Sequence, residues 1–387
     1  MQEPGTRFGK TSEQLKIMRD GGEFKVAFRL IESIVCLTKC YVSYDVNIAC
    51  AQYGIPVFYM RKGHPIMATL PYAHHGFVIT RKSQFDAYTN GQGLLVMTAI
   101  ILGAITNKIR MVKYIARNTK RANPQKASEY QDKAARMELL RKEVKKIETQ
   151  LKVQLKQKFS TKSIEPPKSK QQTPTESNEP PQSSNEPPQS SKNPPNLFLN
   201  PNQLRAKLMG YEGSVSRIYY SLLTDVFPLE LQFEKRVRRP PTDPINASIS
   251  FGNHLLANEI MTAIVVAGLE PFAGFMHSDR SGRPSLVFDM MEEFRQPIVD
   301  RLILRLFRKR ILQGKHFSDE GAENGVRFTN SGMEIFLREF YYMVRKQGEI
   351  EKGHFITYNQ LMLRQARQLV RFFLGKIKNY KPFLLKW

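Results

Sequence analysis

Four side chains, Glu212, His277, Asp289 and Glu292, stand in the least ambiguous blocks of the sequence and are of types that handle metal ions or protons. Asp289 and Glu292 are three residues apart, so on a helix both carboxylates leave the same face. Two carboxylates held near an imidazole and a third carboxylate repel one another unless a cation or protons intervene. A divalent metal is the economical explanation. Oxygen donors favour Mg²⁺ or Mn²⁺, and one imidazole moves the preference towards Mn²⁺ or other transition metals. A neutral His277 would ligate through one ring nitrogen while the other donates to a neighbour. Each residue alone has an ordinary explanation as well: a helical Glu is commonly solvated, a lone His is commonly surface or satisfied core, and Asp-x-x-Glu arises by chance.

The elements that must position these groups can be read from spacing. A helix is expected over 203–223, with Leu204, Leu208, Tyr211, Ile218 and Leu222 on or near one face. Gly210 and Gly213 flank Glu212 inside it. Glycine there costs about 1 kcal/mol relative to alanine, which close approach of another backbone or a ligand would offset. A second, apolar helix is expected over 247–267, ended by Gly268, after which the chain returns through Pro271 to the loop carrying His277. Between the two helices, 233–246 reads as an ordered basic loop. Its Lys235, Arg236, Arg238 and Arg239 are candidates for gripping phosphates, arginine offering a bidentate fork, against the plainer reading of an exposed basic loop. Arg305, Arg308, Lys309 and Arg310 form a second basic zone, and Arg364, Arg367 and Arg371 share a helical face that is either solvated or an extension of a phosphate track.

Upstream, the fold class reads as α+β: a small β-rich domain followed by a larger all-α domain. Strands are expected over 24–30, 33–37, 55–60 and 65–70, with a short helix capped by Ser43 and ended at Gly54. Past Leu94 the period changes to helical. The run 94–105 falls short of the ~20 residues that span a bilayer and reads as a buried core helix. Over 129–159, Met137, Leu140, Val144, Ile147, Leu151 and Leu155 recur at steps of three and four, so a long amphipathic helix is expected. Its Lys145, Lys146, Lys152 and Lys156 lie on a solvated or a phosphate-contacting face. From 160 the composition collapses to Pro, Ser, Gln and Asn, with Ser-Asn-Glu-Pro-Pro-Gln-Ser repeated at 177 and 184; such a segment buries too little apolar surface to order itself and reads as a tether. The expected boundaries are 1–92, 93–159, 160–197 and 198–387.

The chain has 387 residues, 41% of them hydrophobic, enough for two domains with cores. Its formal net charge of +24 concentrates polyanions, so nucleic acid is the first partner to consider and an anionic membrane surface the second. No secretion signal stands at the start, and a cytoplasmic protein is expected. Cys36, Cys40 and Cys50 read as reduced core thiols, with a zinc site using His64 as the other reading.

Four blocks in order are similar to those of the CRISPR-associated Cas-one integrase family: 208–213, Leu-Met-Gly-Tyr-Glu-Gly; 233–252, from Phe-Glu-Lys-Arg to Ser-Phe-Gly; 267–277, Ala-Gly-Leu-Glu-Pro-Phe-Ala-Gly-Phe-Met-His; and 285–295, Ser-Leu-Val-Phe-Asp-Met-Met-Glu-Glu-Phe-Arg. Glu3-Pro-Gly, Tyr53 to Met60 and Tyr380-Lys-Pro-Phe383 extend the likeness, and only the proline-rich segment lies clearly outside it. The family usually carries a complete first strand before the stretch matching Glu3-Pro-Gly, where this chain starts.

The resemblance implies an N-terminal β-domain that forms a homodimer and a helical domain that holds the active site. It implies Glu212, His277 and Glu292 as ligands of Mg²⁺ or Mn²⁺, with Asp289 beside them as a supporting acid and either acid of that pair able to reach the ion. The implied activity is metal-dependent cleavage and transesterification of double-stranded DNA, inserting short fragments as spacers into a CRISPR array, together with a small Cas-two partner dimer. The alternatives are a transposon-type integrase or branched-DNA repair nuclease, which keeps the chemistry, and a catalytically silent DNA-binding scaffold, which would need a lost ligand.

Overall fold

The computed structural model describes residues 5–19, 22–31, 33–36, 38–61, 64–69, 77–161, 201–277, 280–351 and 354–385. The N-terminal part holds two small sheets. β1 (Thr6–Thr11), β2 (Gln14–Arg19) and β3 (Gly22–Ala27) form an antiparallel meander, and β5 (Cys40–Val42) joins β1 in parallel to give the order β3-β2-β1-β5. In the second sheet β6 (Val57–Arg61) lies between β4 (Ile34–Cys36), parallel, and β7 (His64–Thr69), antiparallel. α1 (Tyr44–Gln52) connects them. Ser43 caps α1 as expected, its Oγ accepting from Val46 N at 3.4 Å. Phe8, Leu15, Ile17, Phe28, Val46 and Val57 form a core of their own.

Two strands precede the first expected one. The alternation Leu15-Lys-Ile17 signals β2, and both apolar residues are buried; β1 carries one large apolar residue, Phe8, and so shows no period. The strand expected over 24–30 ends at Ala27. Phe28 turns inward in a short 3-10 segment and stacks on Tyr53 at 5.6 Å. Cys36, Cys40 and Cys50 are free thiols; burial pushes Cys36 up to about 12 and Cys50 to about 11, so both stay protonated at neutral pH.

The larger body consists of α2 (Val78–Asn90), α3 (Gln92–Thr119), α4 (Pro124–Thr161), α5 (Pro201–Leu223), α6 (Pro244–Val266), α7 (Ser285–Met291), α8 (Arg301–Arg308), α9 (Gly321–Asn324), α10 (Asn330–Arg345) and α11 (Tyr358–Phe373). Two short ribbons, β8 (Phe317–Asp319) with β9 (Val326–Phe328) and β10 (Gln347–Glu351) with β11 (His354–Thr357), interrupt a body expected to be all-α. α3 is the axis: Val96, Met97, Ile100, Ile101, Ile105, Met111, Val112 and Ile115 are all buried. α3 and α6 are long and apolar enough to cross a bilayer; in α3 83% of the relevant stretch is buried inside the protein, as a core helix. α4 lays Met137, Val144, Ile147, Leu151 and Leu155 against α3 and α5, the stripe its spacing predicts. α6 begins at Pro244, not Ala247, because Asp243 accepts from Asn246 N at 2.8 Å and Pro244 takes the first turn. The proline-rich segment beyond Thr161 lies outside the described residues.

α2 belongs to this body and not to the β-rich part. Gln84 is fully buried and exchanges hydrogen bonds with the Glu270 and Ala273 carbonyls and the Glu270 amide at 2.8–2.9 Å. Tyr88 donates to the Gly274 carbonyl at 2.7 Å.

The C-terminal strap, residues 380–385, crosses α3 beside Glu293. That buried carboxyl accepts from Tyr380 Oη at 2.5 Å, Phe383 N at 2.7 Å and Gln365 Nε2 at 3.0 Å. Asn107 of α3 donates to the Glu293 and Phe383 carbonyls and accepts from Leu385 N. Phe383 stacks on Phe294 at 5.6 Å.

Burial raises the Glu293 carboxyl to about 7 in spite of the hydrogen bonds from Tyr380, Phe383 and Gln365 that work the other way. The fold therefore holds that proton while the unfolded chain has lost it above the ordinary glutamate range. Stability contributed by Glu293 is full below that range and declines as pH rises from it to about 7. Glu293→Gln removes the decline; comparing urea midpoints of both proteins at about pH 5 and about pH 7.5 checks it. An identical pH dependence in the two would show that the proton is not held there.

Candidate metal and nucleic-acid site

Two helices and one loop carry the four expected residues: α5 carries Glu212, the loop between α6 and α7 carries His277, α7 carries Asp289, and Glu292 follows directly; His277 meets Asp289, and Glu212 and Glu292 both lie within electrostatic reach of Lys108. Asp289 is the best-anchored group. It has no solvent exposure and accepts from Phe275 N at 2.6 Å and Met276 N at 2.9 Å on Oδ2, and from His277 N at 3.0 Å on Oδ1. His277 Nδ1 lies 2.7 Å from the same Oδ1. A carboxylate oxygen accepts, so Nδ1 carries the hydrogen of this contact, and in the neutral ring Nε2 is the lone-pair nitrogen. The loop must approach α7 closely for this. A Cβ on Gly274 would sit 2.6–2.8 Å from the backbone of Ser285 and Leu286, so only glycine fits.

Glu212 does not stand free. Oε1 accepts from Lys108 Nζ at 2.8 Å and from Ser216 Oγ at 2.6 Å. Burial works to raise its pKa, but Lys108, Ser216 and Arg295 outweigh it and hold the carboxyl down at about 2, fully ionised at neutral pH. Lys108 is buried at 2% exposure; burial opposes its charge, but Glu212 and Glu292 keep its pKa above the ordinary lysine value. Glu292 pairs through Oε1 with Arg295 Nη2 at 3.1 Å. Behind them Asp300 accepts from Tyr219 Oη at 2.9 Å and Gln296 Nε2 at 3.3 Å. Arg295 opens a π-helical turn, Arg295–Asp300, which contains Pro297 and leads into α8.

Among the described residues no three His, Cys, Asp or Glu side chains converge as a ready metal cage. The donor set nevertheless suits a hard divalent ion. Glu212 is ionised, His277 presents Nε2, and the Oε2 atoms of Glu212 and Glu292 have no partner among the described residues. Asp289 has four donors around its two oxygens, the amides of Phe275, Met276 and His277 and the His277 ring.

The four basic candidates separate into two kinds. Arg236 is half-buried; its guanidinium donates to Asn246 Oδ1 at 2.9 Å, to Ser250 Oγ at 3.0 Å and to the Val237 carbonyl, and so shapes the loop. Lys235, Arg238 and Arg239 are exposed. The α4 lysines are largely spoken for: Lys145 and Lys152 pair with Glu148, and Lys146 with Glu143, at 2.5–2.7 Å. Arg364, Arg367 and Arg371 share an exposed face of α11, while Leu361, Met362, Ala366 and Leu369 face the core. Among the described residues the space expected to be filled beside Gly210 and Gly213 is open: a Cβ on either meets none of their atoms within 4 Å.

Lys108 and Gln84 escaped sequence reasoning. Both sit in helical runs where one polar residue looks like a solvent-facing position. For Lys108 the signal was its place among Ile105, Ile109 and Met111, all buried, which leaves a lysine there needing a carboxylate.

A model of the family "CRISPR associated protein Cas1" matches residues 1–157 and 176–341, and the chain belongs to that family. A CRISPR-associated endonuclease Cas1 of Thermus thermophilus is 36% identical over 180 residues, 46% of this chain and 54% of that protein. A namesake from Archaeoglobus fulgidus is 23% identical over 363 residues, 92% of this chain and 90% of that one. The match thus spans about half the length of the Thermus relative. Among solved structures, a casposase bound to integration product superposes with a TM-score of 0.66 at 16% identity, covering 98% of this chain and 90% of that one. A chain of a Cas6-RT-Cas1–Cas2 complex gives 0.68 at 16% identity, covering 99% of this chain and 36% of that one. At such identities these likenesses show the fold.

Asp289→Asn replaces one acceptor oxygen with an NH₂ facing backbone amides that need an acceptor. It is expected to cost about 2–4 kcal/mol of stability, read by urea unfolding, and to speed hydrogen exchange at the 275–277 amides. Unchanged stability and exchange would show that the carboxylate does not hold the loop.

Proposed function

We propose that this chain is a metal-dependent DNA endonuclease and integrase that inserts short double-stranded fragments as spacers into a CRISPR array. The observation that carries the reading is the Asp289–His277 pair, which ties down Nδ1 and leaves Nε2 as the lone-pair nitrogen of the neutral ring, together with two further carboxylates, Glu212 and Glu292, both within reach of Lys108 and each keeping one oxygen without a partner among the described residues. Support comes from relatives named CRISPR-associated endonucleases and from fold likeness to an integration-product-bound casposase.

Glu212 Oε2, His277 Nε2 and Glu292 Oε2 would hold Mg²⁺ or Mn²⁺. Such an ion, when bound, lowers the pKa of an attacking hydroxyl and neutralises charge on a pentacoordinate phosphorus. The chain's own residues do the rest. Asp289 fixes the imidazole tautomer. Lys108 and Ser216 hold Glu212 by one oxygen and leave the other. Lys235, Arg238 and Arg239, on a loop braced by Arg236 and Asn246, supply exposed cations for the phosphates on either side of the reacting one. The reaction is displacement at a backbone phosphate by a 3′-hydroxyl, and needs no covalent protein nucleophile. The net charge of +24 suits a substrate that is a polyanion.

The reading includes a homodimer built on the N-terminal sheets, a complex with a small Cas-two dimer like the Cas1–Cas2 assembly in which a similar chain was solved, and a site of action in the prokaryotic cytoplasm. Purified protein, supplied with its small partner, is expected to nick and join fragments into a supercoiled plasmid bearing a repeat only with Mn²⁺ or Mg²⁺. His277→Ala is expected to lower product at least about 100-fold. Wild-type protein that binds the plasmid but leaves it intact would overturn the enzyme reading in favour of a DNA-binding scaffold.

A further inference from the structure

The cations of this chain are not neutralised evenly. On α4, Lys145 and Lys152 pair with Glu148 and Lys146 with Glu143. On α11 and the strap the pattern is the reverse. From Lys352 to Trp387 the sequence holds eight Lys or Arg and no Asp or Glu. Arg364, Arg367 and Arg371 recur at steps of three and four along one exposed face of α11, a length of about 10 Å. The chain then turns back beside that face. Gly375 takes a φ of 71°, and Lys376 N donates to the Arg371 carbonyl at 2.8 Å. Further on, Lys381 N donates to Gln368 Oε1 at 2.8 Å and the Lys381 carbonyl accepts from Gln365 Nε2 at 3.0 Å, so the strap lays a lysine alongside the arginine row. On either side of it Tyr380 Oη and Phe383 N are tied to Glu293, which keeps Lys381 in place.

Five of these side chains, Arg367, Arg371, Lys376, Lys378 and Lys381, are exposed and form no ion pair among the described residues. The helices packed against α11 carry carboxylates, Asp86 on α2, Glu259 on α6, and Glu334 and Glu339 on α10, but none of them is paired with these five cations; Glu339 is held by Arg305 and Arg338. Glu293 lies buried beneath the strap, taken up by Tyr380, Phe383 and Gln365. What the face lacks decides what it fits. Between residues 358 and 385 no large apolar side chain is exposed. A protein partner would need apolar anchors at the centre of its interface, and an unpaired strand would need rings on which its bases could stack. A duplex backbone needs only fixed positive charge. Arg371 also suits the C-terminal end of the helix dipole, which accounts for neither Arg367 nor Lys381.

We propose that α11 and the strap form a duplex-DNA surface that grips phosphates through Arg367, Arg371, Lys376, Lys378 and Lys381, without reading sequence and without a metal ion. It stands on other elements than the loop cations Lys235, Arg238 and Arg239, so the protein holds a length of duplex in addition to the contacts made at the reacting phosphate. The inference rests on the DNA-acting reading above, but not on the metal ion or the strand-transfer step.

The test is fluorescence anisotropy of a labelled duplex of mixed sequence with the full chain in EDTA, the affinity being followed from about 0.05 to about 0.3 M salt. The triple variant Arg367→Gln, Arg371→Gln, Lys381→Gln is expected to lower the slope of log affinity against log salt by about 2 to 3, and to weaken binding at least about tenfold at about 0.1 M salt. The triple variant Lys145→Gln, Lys146→Gln, Lys152→Gln on α4 removes as much charge from paired positions and is expected to lower the slope by less than about 1. Equal losses in the two triples would mean that binding follows net charge, and would overturn the face. A wild-type slope in the α11 triple would do the same. An oligothymidine strand that loses as much affinity as the duplex would overturn the duplex assignment. Wild-type protein that binds no duplex at all contradicts the DNA-acting reading itself, a result distinct from any of these. If the α11 triple loses its fold by circular dichroism, the double variant Arg367→Gln, Lys381→Gln takes its place, with a slope lower by about 2 and the same overturning result.

Discussion

One buried carboxylate sets the geometry of everything near it. Asp289 accepts from three successive backbone amides and from the His277 ring, and a side chain so fully engaged has one orientation. An unpaired charge in that position would be prohibitive, so the loop must wrap it whenever the protein is folded. The wrap determines the rest. It requires glycine at 274, where the chain meets the start of α7, and it fixes which imidazole nitrogen faces outward. Gln84 and Tyr88 then brace the loop from α2, which explains why a helix adjoining the β-rich part packs as a member of the helical body.

On the far side of the site, the C-terminal strap does for Glu292 what α2 does for His277. Glu293 and Asn107, the immediate neighbours of Glu292 and Lys108, are bound to each other and to the strap through buried hydrogen bonds. The two charged residues that face the site are thereby fixed through backbone anchored behind them. This arrangement places rigid elements, not mobile side chains, in charge of the distance between α3 and the α7 region, and buried networks of this kind are sensitive to loss of any member.

Much of this was legible in the sequence because it followed local rules. The Ser43 cap, the α4 stripe, the helix carrying Glu212 and the i, i+3 pair of acids all depend on neighbours a few residues away. The acids nonetheless play different parts: Asp289 points back into the loop and Glu292 keeps an oxygen available, a distinction that spacing alone left open. What could not be read was long-range. Lys108 meets Glu212 across 104 residues, Gln84 meets Glu270 across 186, and the strap meets Asn107 across more than 270. Spacing within a helix says that such a residue is out of step with its apolar neighbours, but not which distant partner compensates it. The strand β1 was missed for the opposite reason, since its single apolar residue gives no period at all.

The account stands on the state of one ring, and nitrogen-15 NMR of His277 reads it directly. In the neutral ring the spectrum is expected to show a single tautomer, with a slowly exchanging proton on Nδ1 hydrogen-bonded to Asp289 and a bare Nε2. A proton on Nε2, or a ring averaging between tautomers, would contradict it, because the nitrogen that the fold is built to present would then not be available.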